Sequence, residues 1–258
     1  MAKRFKTIKK VELEEPRSGK GARSATTQNV IRGPKPPVWE IIIYGLLILF
    51  LMTGTFWRNR AWNSELELWT DCVKKSPNKG RPHYNLADAF LDLGKYPEAI
   101  SHLNDALQIN PNYAEAHNNL GLVFFYQGKY QEAIPHLNDA LRINPNYARA
   151  HNNLGLVLSY QSKYQEAIPH LNDALRINPD YAEAHNNLAN IFFYQGKYRE
   201  AISHLNDALR INPDYAEAHN NLGNVYLMMG NRSLALREYE ILKAMNSSLA
   251  NALYQKIK

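Results

Sequence analysis

The side chains best suited to chemistry fall in columns. All nine histidines occupy two recurring positions: His83, His117, His151, His185 and His219, then His102, His136, His170 and His204. Imidazoles bind transition metals and change charge near neutral pH. Within either column, neighbours are 34 residues apart. Equivalent points on stacked helices lie about 10 Å apart, whereas the ligands of one metal each sit about 2 Å from it. The expectation is packing or surface histidine and no metal site.

Asparagine forms a sharper pattern. Asn85, Asn119, Asn153, Asn187 and Asn221 recur at one register, and Asn118, Asn152, Asn186 and Asn220 precede it, with Tyr84 breaking this second column. Asn is a poor helix-interior residue, so its recurrence asks for a reason. A carboxamide both donates and accepts, and can pair with a peptide group. A row of them could hold an extended chain by its backbone. They could equally bond between neighbouring helices, or persist from duplication. Phe125, Tyr126, Tyr160, Phe193 and Tyr194 follow the ladder by six or seven residues, about two helical turns. Tyr offers rigid contact at low entropic cost. The candidate partner-binding set is therefore Asn85, Asn118, Asn119, Asn152, Asn153, Asn186, Asn187 and Asn221 with Tyr126, Tyr160 and Tyr194. Arg81 and Arg149 alternate with Glu115, Glu183 and Glu217 beside them. The chain has no phosphate-binding loop, dinucleotide fingerprint, His-Glu-x-x-His or nucleophile elbow. Fivefold repetition also argues against a catalytic centre, which needs distinct groups converging once. Neither an enzyme nor a cofactor is expected.

These columns require a repeated element to carry them. Residues 114–147 recur at 182–215 with six changes in 34 positions, closely at 148–181, and more loosely at 80–113 and 216–249. A fixed period of this size means a stacked array. Each copy holds two helical patterns. Leu120, Val123 and Phe124 mark the first; Ala133, Ile134, Leu137, Ala140, Leu141 and Ile143 form an apolar stripe on the second. Gly128 fits the C-terminus of the first helix, and Asn144-Pro145 closes the second. Pro135 and Pro169, inside the second helix, predict a local kink without a break.

Leu120, Gly121, Gly128, Tyr130, Ala133, Leu137, Ala140 and Pro145 stand at the landmarks of the tetratricopeptide repeat, which the chain resembles over residues 80–249. The resemblance implies an all-α solenoid of about five helix pairs: residues 80–113, 114–147, 148–181, 182–215 and 216–249. Departures include His at the usual aromatic position, Ser162 for the turn glycine, Ser247 for the closing proline and Leu242 for a small residue. The asparagine column is similar to the ladder of the O-linked N-acetylglucosamine transferase superhelix. That likeness implies backbone holding and none of that enzyme's catalysis.

The flanks differ from the array. Residues 1–37 begin with ten Lys or Arg and three Glu before position 36, which predicts a flexible basic tail. Residues 38–57 are apolar apart from Glu40 and carry Trp39 and Trp57 at their ends. Twenty such residues match a bilayer's hydrocarbon core, giving one N-terminal transmembrane helix. The basic excess before it predicts a cytoplasmic N-terminus and a periplasmic or extracytoplasmic array, a bacterial inner membrane being the natural setting. Residues 58–79 read as a linker and half repeat, with Cys72 buried. Residues 250–258 read as the end of a capping helix. The first 79 residues carry net charge +8 and the remainder −2. The array is thus nearly neutral, which argues against nucleic acid, and the tail suits anionic lipid. The function expected is a membrane-anchored interaction scaffold or assembly subunit that binds a partner polypeptide in its groove. The alternatives are a periplasmic holder of extended client chains and a targeting module for a separate enzyme.

Overall fold

The computed structural model describes residues 64–258, together with the isolated helical positions Ile43 and Leu46. The basic tail and the apolar segment 38–57 otherwise lie outside the described residues. Among the described residues no helix is long and apolar enough to cross a membrane. The chain divides into two units, Met1–Thr55 and Phe56–Lys258, and all the helices below belong to the second.

Twelve α-helices and no strands occur among the described residues. α1 spans Glu65–Lys75. Five pairs follow: α2 Gly80–Asp92 with α3 Tyr96–Ile109, α4 Ala114–Tyr126 with α5 Tyr130–Ile143, α6 Ala148–Tyr160 with α7 Tyr164–Ile177, α8 Ala182–Tyr194 with α9 Tyr198–Ile211, and α10 Ala216–Met228 with α11 Arg232–Ala244. α12, Leu249–Ile257, closes the array. This is the all-α solenoid expected from the period.

Local chemistry sets these boundaries. Gly128, Gly196 and Gly230 adopt φ of +73° at the end of a first helix. There Gly128 N–H donates to the Phe125 carbonyl at 2.8 Å and Lys129 N–H to Phe124 at 2.8 Å, satisfying carbonyls the helix leaves open. The first four second helices stop at an Asn; the Asn110 side chain accepts from Asn112 N–H at 3.2 Å, and Asn144 and Asn212 accept likewise two residues on. α5 and α7 run unbroken through Pro135 and Pro169.

Ser162 takes the glycine's place with φ of +60°. A non-glycine residue in the left-handed region costs about 1–2 kcal/mol. Glycine would remove that strain and return part of the gain as unfolded-chain entropy. Ser162→Gly is therefore expected to raise the melting temperature by about 2 °C, read by circular dichroism; a lower melting temperature would refute the strain.

The core is a repeated wedge. Ala133, Leu137 and Ala140, and their equivalents in α3, α7 and α9, are fully buried against Leu120, Leu154 and Leu188 of the first helices. The helices meet closely because the first carries a small residue there. A Cβ on Gly121 would lie 2.6 Å from Leu137 Cγ. Ala189, at the same register, shows that one methyl can be accommodated. At the far end Leu242, Leu253 and Ile257 seal the last pair. At the near end Cys72 is half-buried, not buried as expected, because α1 packs on α2 alone among the described helices.

Candidate interaction groove

First helices of successive repeats touch one another, whereas second helices do not. The first helices thus form the inner wall of the array. Two adjoining cavities, about 820 and 600 Å³, open along it and share Leu156 and Asn187.

The asparagines form its floor. Asn118, Asn119, Asn152, Asn153, Asn186 and Asn187 are 0–8% exposed. Asn153 Nδ2 donates to Asn118 Oδ1 at 2.9 Å, Asn187 to Asn152 at 2.9 Å, and Asn221 to Asn186 at 2.8 Å. The two columns are one ladder, running from each repeat to the preceding one. In the first repeat Tyr84 replaces the acceptor, and Asn119 Nδ2 donates to Asp88 Oδ1 at 3.1 Å and Tyr84 Oη at 3.4 Å. Asn85 is half-buried at the near end. Of the alternatives open from sequence, bonding between neighbouring helices is thus observed. The carboxamides satisfy buried valences and knit one repeat to the next.

This reverses a propensity argument. Ala is the better helix former, yet Asn153→Ala leaves Asn118 Oδ1 buried without that donor, which costs about 1–3 kcal/mol. The variant is expected to unfold at lower denaturant concentration. Unchanged or higher stability would show the ladder to be dispensable to the fold.

Above the floor stand two tyrosine columns. Tyr126, Tyr160 and Tyr194 are 58%, 60% and 70% exposed and line the cavities. Their rings are held by neighbours: Tyr126 stacks on Tyr96 at 6.1 Å, Tyr160 meets Phe125 edge-on at 5.0 Å, and Tyr194 stacks on Tyr164 at 6.4 Å. Phe124 and Phe192 are half-buried, packed on the core and stacked against His136 and His204.

Sequence reasoning missed the second column. Tyr147, Tyr181 and Tyr215 line the cavity with Arg149, Glu115 and Glu183. Burial pushes the Tyr181 hydroxyl up to about 12, aided by the Glu183 carboxylate. Tyr215 is raised for the same two reasons, in the same order. Both remain protonated at neutral pH. The signal is a tyrosine closing each of the first four repeats, but that position reads as a boundary landmark until the chain's entry angle is known.

The histidine columns also meet. Residues 19 apart pair across the two helices of one repeat. Nδ1–Nδ1 distances are 3.2 Å for His83–His102, 3.4 Å for His117–His136, 3.2 Å for His151–His170 and 3.1 Å for His185–His204. Spacing within one column does not reveal a contact between the two. Burial and the adjacent imidazole lower the pKa of His102, His136, His170 and His204.

In the fifth repeat Glu238 replaces the second histidine, and its carboxylate accepts from His219 Nδ1 at 2.6 Å. That bond raises the His219 pKa above its ordinary value, overcoming burial. A raised histidine pKa contributes stability that is full below the unfolded value of about 6.5 and is lost as pH climbs through the folded one. The stability gap between wild type and His219→Gln is therefore expected to be widest near pH 6 and to shrink by pH 9. A gap that widens with pH would reverse the sign.

Family models described as TPR repeat match residues 87–127 and 189–230, and models described as tetratricopeptide repeat match 113–180 and 170–203. Together they cover more than half the chain, which belongs to the tetratricopeptide repeat family. No curated protein matches significantly. Among solved structures the chain is similar to YrrB, described as a TPR protein with an unusual peptide-binding site, at 23% identity and TM-score 0.53, covering 74% of this chain and 99% of that one. It is similar to Pseudomonas aeruginosa PilF at 21% identity and TM-score 0.63, covering 81% and 95%. Thermus thermophilus TTC0263 aligns at 24% identity and TM-score 0.61, covering 69% and 98%. These likenesses are of fold. Such a fold suggests protein–protein interaction or peptide binding.

Proposed function

We propose that the chain is an interaction scaffold that binds an extended segment of a partner polypeptide along its inner wall, held near a membrane by residues 38–57. The observation that carries this reading is the pair of adjoining cavities over the ladder, with exposed aromatics fixed by their neighbours at the rim. Pre-positioned rings lose little entropy on binding. Carboxamide donors not used between repeats, and the Tyr147, Tyr181 and Tyr215 hydroxyls, can meet a peptide's carbonyls and amides. Arg149 between Glu115 and Glu183 presents alternating charge that sets register more than affinity. The interior pairing of the asparagines makes them a floor more than a row of free hands, so tyrosines carry most of the contact.

For placement, the apolar run and the basic residues ahead of it argue a single-pass anchor with the array extracytoplasmic. Protease added to intact spheroplasts should digest the array and spare the N-terminal tail; protection of the array would reverse the topology. The groove itself is tested with a partner segment immobilised as a peptide array. The full-length chain should bind a limited set of extended peptides, and Arg149→Glu should change which set. Identical selection by both proteins would remove Arg149 from the site.

A further inference from the structure

In the first repeat a carboxylate closes the histidine pair into a triangle. Asp105 Oδ2 lies 3.4 Å from His83 Nδ1 and 3.5 Å from His102 Nδ1, and the two nitrogens are 3.2 Å apart. Three ligands each about 2.0–2.1 Å from a tetrahedral zinc lie about 3.3 Å from one another. The observed triangle has those edges.

The surroundings prepare it. His83 Nε2 is 3.0 Å from the Pro77 carbonyl, which can only accept. Nε2 therefore carries the proton, and in the neutral ring Nδ1 keeps its lone pair. Donation of the second ring nitrogen to a backbone carbonyl is the usual outer-shell support of a metal-bound histidine. Phe90 stacks on His102 at 5.7 Å with 3° between planes, fixing that ring. The His83 side chain is 9% exposed and Asp105 44%, so the triangle has a buried wall and an open mouth.

Repeats with the same histidines differ in the carboxylate. Arg142 holds Asp139 at 3.2 Å and Arg176 holds Asp173 at 3.1 Å. The first repeat has Gln108 at that register, so nothing cationic draws Asp105 away. In the fourth, Arg210 is 3.7 Å from Asp207, beyond a hydrogen bond, and the ligand atoms of His185, His204 and Asp207 lie within 4.8 Å of one another.

We propose that His83, His102 and Asp105 bind a divalent transition cation of zinc type, with His185, His204 and Asp207 a second, weaker site. Two imidazoles and a carboxylate suit zinc, and the fourth position is left to water. The proton on His102 Nδ1 passes to its Nε2 as the ion enters, leaving both Nδ1 lone pairs on the metal. The ion then ties α2 to α3.

The test is titration of zinc chloride into the full-length chain, purified without a histidine tag. Two ions should bind, and cobalt(II) in their place should give the intense visible spectrum of a tetrahedral site. Asp105→Asn should weaken the tighter site at least about 10-fold while leaving helicity and the zinc-free melting temperature unchanged. Gln108→Arg, which restores the clamp, should weaken it too, and Arg142→Gln should add a third site. Equal zinc binding by wild type and by an Asp105→Asn/Asp207→Asn double variant would overturn the proposal, as would no binding at micromolar zinc.

Discussion

Leu171→Ala is expected to destabilise the array by about 3 kcal/mol. Leu171 is fully buried in α7 and packs with Leu154, Leu188 and Ile191. It fills the space that Gly155 leaves, where a Cβ would come within 2.6 Å of its Cγ. Truncation therefore opens a cavity that the neighbouring backbone has little freedom to close. The position matters as much as the volume. α7 joins α6 and α8 in the middle of a structure in which each element touches only near neighbours. Stability in such arrays is a sum of repeat and interface terms, so a weak central link should let the two halves unfold apart. Urea denaturation followed by circular dichroism should show a lower midpoint and a broadened or split transition. Leu253→Ala, equally buried but in the capping helix, should shift the curve and leave the middle intact. A loss under about 1 kcal/mol for Leu171→Ala, with one sharp transition, would contradict this view of the core.

Replacing Tyr160 and Tyr194 together with Ala should lower partner affinity at least about 30-fold, equivalent to about 2 kcal/mol, with little change in stability. The two rings are mostly exposed, and substitutions at such positions shift stability by about 0.5 kcal/mol or less. Their value lies in being held: Tyr194 by Tyr164, Tyr160 by Phe125 and Tyr130. A partner residue stacking on them meets a surface already ordered. The two losses need not add, since both rings face one ligand. Tyr160→Phe and Tyr194→Phe should retain most of the affinity if the rings act as apolar platforms; a loss as large as with Ala would assign the contact to the hydroxyls. Affinity unchanged in the Ala double variant would move the site off this wall.

The period and its small residues made the helix pairs readable. Gly128 at φ +73° follows from residue type and place, and Gly121 under Leu137 from the family landmark it matches. What stayed hidden depends on how helices cross. His83 and His102 meet 19 residues apart, and Asn153 reaches Asn118 across 35. Neither separation belongs to a single helix face, so no periodicity reveals it. The asparagines stood out because their type is wrong for a helix interior. Whether they faced a ligand or each other required knowing that first helices touch first helices along the inner wall. Tyr147 and Tyr181 give no such signal: a tyrosine at a repeat junction violates no local rule. Cys72 is only half-buried because α1 packs on α2 alone among the described helices, a fact of assembly that its residue type does not carry.

The most direct test of the groove places a photo-crosslinking amino acid, one position at a time, in the full-length chain within its native membrane. Positions 160, 194 and 181 report on the inner wall; positions 142 and 176, exposed on second helices, report on the outside. The groove reading predicts one partner polypeptide captured from the inner positions and not the outer ones, with capture at 181 lost in the Tyr160→Ala/Tyr194→Ala background. Capture from 142 and 176 alone would contradict it.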